Sequence, residues 1–180
     1  MKPVLSYLAS FLVAFAILLS SQCKKPKIEV QLPPETQTGA NVIGFKADGK
    51  IYVAKYGNVA ADYMYLTFPY PYSNGFYLTI RGKKLNNWVI GLLTDSLRVF
   101  EGQIYPLNNY PYSKGTAWAY FNLIGDEYYT ETNLQGQLKI SKLDSINKII
   151  SGTFWFDAID TLSNTIVQIR EGRFDMHFTE

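Results

Sequence analysis

Two changes in the alternation of apolar and polar positions divide this chain. Residues 4–20 are almost wholly apolar or small behind Lys2, the length and flanks of the apolar core of a secretory signal. Spanning a bilayer takes about 20 mostly apolar residues, and Ser20 and Ser21 read as a processing site, so a retained anchor is the weaker reading. Residues 1–22 are therefore expected to be a signal peptide. Residues 23–38, "CKKPKIEVQLPPETQT", hold Pro26, Pro33 and Pro34 and show no apolar period, which predicts an extended tether. At about 3.3 Å per residue it would reach on the order of 50 Å at most.

From Gly39 onward the pattern becomes short runs of β-branched and aromatic residues broken by Gly, Asn, Asp and Pro. That alternation predicts strands near 42–47, 50–56, 63–68, 75–81, 88–94, 98–105, 116–122, 127–130, 135–143, 149–158 and 165–178. Asp48-Gly49 lies between two alternating runs and predicts a type I′ hairpin, because both residues tolerate positive φ. Phe76, Leu78 and Ile80 fall on one face, with Tyr77, Thr79 and Arg81 on the other; "NWVIGLLT" is apolar on both, as a central strand requires. In "TIVQIREGRFDMHF" the apolar parity passes from Val167 and Ile169 to Phe174, Met176 and Phe178, a switch that one inserted residue produces, and Gly172 is the expected bulge. No segment after residue 30 carries a capped 3.6-residue period. The expectation is a single all-β domain over residues 39–180, an antiparallel meander closing as a barrel or as a two-sheet sandwich.

Composition adds compartment and excludes classes. The domain from Gly39 carries 13 Lys and Arg against 13 Asp and Glu, so it has no nucleic-acid footprint, and "RGKK" at 81–84 reads as a solvated hairpin tip. A single Cys excludes an intrachain disulfide. That Cys23 follows the apolar run and resembles the lipidated Cys of the bacterial lipobox, although Gln22 stands where the lipobox has a small residue. The resemblance implies a diacylglyceryl anchor at Cys23, and two or more acyl chains hold a protein stably on a membrane. With Lys24 and Lys25 after the Cys and no Asp or acidic cluster there, it implies an outer-membrane lipoprotein facing the periplasm.

Chemistry-bearing constellations are sparse. The parity switch puts Arg173, Asp175 and His177 on the outward face of the last strand, where a solvated ladder of opposite charges accounts for them. His177 is the only His, and no common transition-metal set can be completed around it. Hydrolase, zinc-protease and nucleotide fingerprints are absent from the sequence. Asp126, Glu127, Asp157 and Asp160 could supply a glycosidase pair, but two acids among fifteen are no signal. No catalytic residue, metal or cofactor is expected.

The more unusual feature is a near repeat, "YPYSNG" at 70–75 and "YPYSKG" at 110–115. Both are turn material, with Pro presetting φ and Gly ending the turn. If both stand on one rim, Tyr70, Tyr72, Tyr110 and Tyr112 would present flat, hydroxyl-bearing faces to a ligand such as a sugar ring or an amphiphile. The alternative is that they pack over an end of the fold.

"LPPETQTGANVIGFKADGKIYVA", "ISGTFWFDA" and "EGRFD", with a leading Cys followed by lysines, resemble a family of small Bacteroidetes lipoproteins built on a domain of unknown function. The resemblance implies a secreted, lipid-anchored β domain and supplies no catalytic residues. The expectation is a non-enzymatic envelope lipoprotein that binds a small glycan or amphiphile. The alternatives are an accessory subunit docking on another outer-membrane protein and, less favoured, a hydrolase.

Overall fold

The computed structural model describes residues 30–55, 62–67 (backbone only), 78–84, 87–108 and 114–178. Eleven strands form among them: β1 (Val42–Ala47), β2 (Lys50–Lys55), β3 (Asp62–Thr67), β4 (Thr79–Lys84), β5 (Trp88–Asp95), β6 (Ile104–Pro106), β7 (Thr116–Leu123), β8 (Asp126–Tyr129), β9 (Gly136–Asp144), β10 (Ile149–Asp160) and β11 (Thr165–His177). The described residues contain no helix. The fold is all-β, as the alternation predicts. The expected strand at 98–105 shrinks to β6, because Glu101 and Gly102 form a turn with Gly102 at φ +79°.

All strand pairs are antiparallel, and the hydrogen-bonded path runs β2-β1-β11-β10-β8-β7-β5-β4-β3. β2 and β3 approach each other at the remaining seam, so the sheet curls into a nearly closed barrel. Its strands follow chain order around the wall, with β6 and β9 displaced. β9 pairs with residues 149–156 of β10 and carries β6 on its other edge, while β8 meets β10 at Ile159. The wall thus forks along β10.

Alternation directs one face of each strand to the axis. Phe45 lies at the centre, stacked on Tyr52 at 5.3 Å and edge-on to Trp88 and Phe121, an arrangement aromatic quadrupoles favour. Ile43, Ile80, Ile90, Leu92, Leu138, Ile140, Ile150 and Phe156 are fully buried around it. These side chains belong to one hydrophobic core cluster.

The parity switch in β11 is present. Against β10, Phe154 pairs with Gly172 and Phe156 with Ile169, so β11 carries one extra residue. The left-handed backbone, however, belongs to Glu171 at φ +50°, not to the expected Gly172. Glu171 points outward to Lys46. Gly172 is glycine for space: a Cβ there would lie 2.4 Å from the Phe154 ring.

Four hairpin turns gather at one end of the barrel. They are Asp48-Gly49, with φ +47° and +80° as the type I′ reading requires, the β4–β5 turn, Ile124-Gly125, and residues 161–164. At this hairpin end the chain enters at Val30, beside Lys50, Tyr52, Lys84 and Trp88. Residues 30–41 then run without regular structure along the outer wall, Pro33 over Gly44, and turn into β1 at the opposite end.

Candidate functional site

Cys23, Tyr70, Tyr72, Tyr110 and Tyr112 all lie outside the described residues. The stems of both Tyr-Pro-Tyr segments are described, and they share one location. β4 and β7 flank β5, with Leu93 facing Thr79 on one side and Trp118 on the other. Leu78 N donates to Thr94 Oγ1 at 2.8 Å, and Gly115 N donates to Asp95 O at 2.7 Å. The segment before β4 and the segment before β7 therefore both arise at the C-terminal end of β5, opposite the hairpin end. On the outer wall of β7 lie Trp118 and Tyr120, only 8% and 6% exposed, with rings 5.9 Å apart. Tyr120 lies across Gly91, whose missing side chain leaves room for the ring, and its hydroxyl accepts from Arg81 Nε at 2.7 Å. Burial raises the Tyr120 phenol pKa, opposed by the Arg81 charge and hydrogen bond.

At the hairpin end a groove of about 330 Å³ is bounded by Asn122, Asp126, Glu127, Tyr129, Asp160 and Leu162. Three of the four acids singled out in the sequence meet here, while Asp157 pairs with Arg170 on the wall. Asp160 accepts from Ser163 Oγ and Leu162 N, and these bonds hold its carboxyl below the usual range. Glu127 accepts from the Tyr129 hydroxyl at 2.9 Å. A glycosidase acid must instead be held protonated, so Asp160 is unsuited to that part. Asn122 Oδ1 is buried beside this groove and has no hydrogen-bond partner among the described residues.

The expected charge ladder on β11 is corrected at its centre. Asp175 is outward-facing, yet only 1% exposed, because the incoming segment covers it. Its carboxylate accepts from Thr36 Oγ1 at 2.6 Å, Gly39 N at 2.8 Å, Ser151 Oγ at 2.8 Å, Thr38 N at 3.0 Å, Ala40 N at 3.1 Å and Thr38 Oγ1 at 3.3 Å. Burial alone would raise its pKa, but these donors outweigh it and hold the carboxyl well below the usual range. The neighbouring charges stay on the surface: Arg173 reaches Pro33 O and Glu35, and the His177 ring fills the space that Gly39 leaves open. Among the described residues no group of three His, Cys, Asp or Glu could hold a metal ion.

Parity alone could not reveal Asp175, since its cover comes from a segment some 137 residues earlier. A signal was nevertheless present: "TQTGA" is a run of hydroxyls and small residues with free amides, the donor set a buried carboxylate requires.

Neither a curated protein nor a solved structure matches the chain. A family model, Domain of unknown function (DUF6252), matches residues 70–176. The match opens at the first Tyr-Pro-Tyr, includes the second, and takes in "ISGTFWFDA" and "EGRFD" but not the first hairpin. It spans more than half of the chain and runs from the first Tyr-Pro-Tyr segment to β11, so this chain belongs to the DUF6252 family.

Proposed function

We propose that the protein is a non-enzymatic lipoprotein of the outer membrane, anchored through Cys23 and facing the periplasm, whose β domain binds a small glycan or amphiphile at a rim built by the two Tyr-Pro-Tyr loops. The observation that carries the binding reading is the shared origin of both loops at one end of β5. On this reading Tyr70, Tyr72, Tyr110 and Tyr112 would share one surface. The same shared origin also suits the second reading, docking on another outer-membrane protein.

Native mass spectrometry of the protein taken from its own envelope tests the binding reading. A ligand mass should accompany the wild type and be lost from the Tyr72→Ala, Tyr112→Ala double variant, with the melting temperature unchanged within about 2–4 °C. A co-purifying protein in place of a small mass would favour docking, and a marked loss of stability would return both tyrosines to a packing role. For the anchor, Cys23→Ala should release the protein from the membrane fraction; a variant that stays there uncleaved would refute lipidation.

A further inference from the structure

The hairpin end has a basic, apolar sector next to the point where the chain arrives. Val30, 58% exposed, borders a shallow groove with Lys50, Lys84 and Trp88. A second groove continues around the end from Lys83, Lys84 and Trp88 to Leu123 and Ile124. Ile124 stands at the tip of the β7–β8 turn, 74% exposed. Four separate segments thus contribute to one sector, with lysines around a protruding aliphatic side chain. Of the acids at this end, Asp48 in the β1–β2 turn accepts from Gln168 N and Asp62 opens β3 opposite Lys84, while Asp126, Glu127 and Asp160 line the separate groove described above.

Chain length says what this sector faces. Six residues separate Val30 from Cys23, so the anchor lies within about 25 Å of Val30. β10 alone extends roughly 36 Å. An anchored chain of that reach draws its own entry point toward the bilayer, and Lys24, Lys25 and Lys27 lie in the connecting segment. We infer, building on the lipoprotein reading, that the sector bearing Lys50, Lys83, Lys84 and Ile124 is a membrane-docking surface. The lysines lie against anionic headgroups and Ile124 enters the interface, while the rim carrying the Tyr-Pro-Tyr loops is turned away from the membrane. Lysine near an anionic surface and an aliphatic tip in the headgroup layer are each favourable, and together they fix an orientation that a tether alone does not.

The test uses the full lipidated protein in vesicles of phosphatidylethanolamine with a minority of phosphatidylglycerol. Single variants Ile124→Cys and Ile146→Cys are labelled with a thiol-specific fluorophore. Ile146 is 91% exposed in the β9–β10 turn at the opposite end. Cys23 is blocked by its thioether, so the wild type should take no label; a labelled wild type would refute the anchor itself. With the anchor intact, lipids quenching at headgroup depth should quench the label at 124 at least about threefold more than at 146, since contact brings it within about 5–10 Å of the headgroup boundary. Lys50→Glu with Lys84→Glu in the Ile124→Cys background should remove most of that difference. Equal quenching at the two sites, or stronger quenching at 146, would overturn the docking surface while leaving the lipoprotein reading in place.

Discussion

Asp175 sets the behaviour of this fold in acid. An unfolded Asp titrates near 3.9, and six donors hold the folded carboxyl below that. As pH falls the unfolded chain takes up the proton first. The stabilisation is therefore complete above about pH 5 and is lost as pH drops below 4 toward the folded pKa. Asp144 and Asp160 shift in the same direction, so the comparison must be made between variants. Denaturation followed from pH 6 to pH 3 should show a steeper fall for wild type than for Asp175→Asn, and parallel curves would refute the assignment. At pH 7, Asp175→Ala should cost about 2–4 kcal/mol, because charged acceptors of buried donors are worth more than neutral ones. Three positions away, beside the bulge, Gly172→Ala should cost about 1–3 kcal/mol by pressing a methyl onto Phe154. Glu171→Gly exchanges relief at φ +50° for a surface ion pair and should stay within about 1 kcal/mol of wild type. Urea denaturation of the pair tells which residue takes the left-handed conformation; the reverse order would move it to Gly172.

At the scale of elements, residues 32–40 form a strap. Composition made residues 23–38 a tether, but Pro33, Thr36 and Thr38, with Gly39 and Ala40 after them, are held on the wall by Gly44, Arg173 and Asp175. Asp175→Ala should therefore speed hydrogen exchange at Thr38, Gly39 and Ala40 by an order of magnitude or more, about 1.4 kcal/mol per tenfold, before it affects the amides of β5 or β7. Uniform acceleration would mean that the strap has no local stability of its own. The strands themselves were legible because period-2 alternation and turn residues are local properties: Asp48-Gly49, the two faces around Leu78 and Ile80, and the parity switch after Ile169 all appear as read. What was not legible depends on distant partners. Nothing near Asp175 in sequence announces the strap, and Lys50, Lys84 and Ile124 come together only because separate turns meet at one end of the barrel.

On the scale of the whole molecule, the first described strand pairs with the last. Val42 faces Asp175 and Ala47 faces Ile169, and Asp48 accepts from Gln168 N across 120 residues of chain. Joining ends so far apart is entropically costly until other contacts hold them near. β1 consequently has only its hairpin partner β2 until the final thirteen-residue strand arrives. This late seam makes the order of synthesis matter: the wall cannot be completed before its last strand emerges, and without β11 one edge of β1 and one edge of β10 would stand open to pairing with another chain.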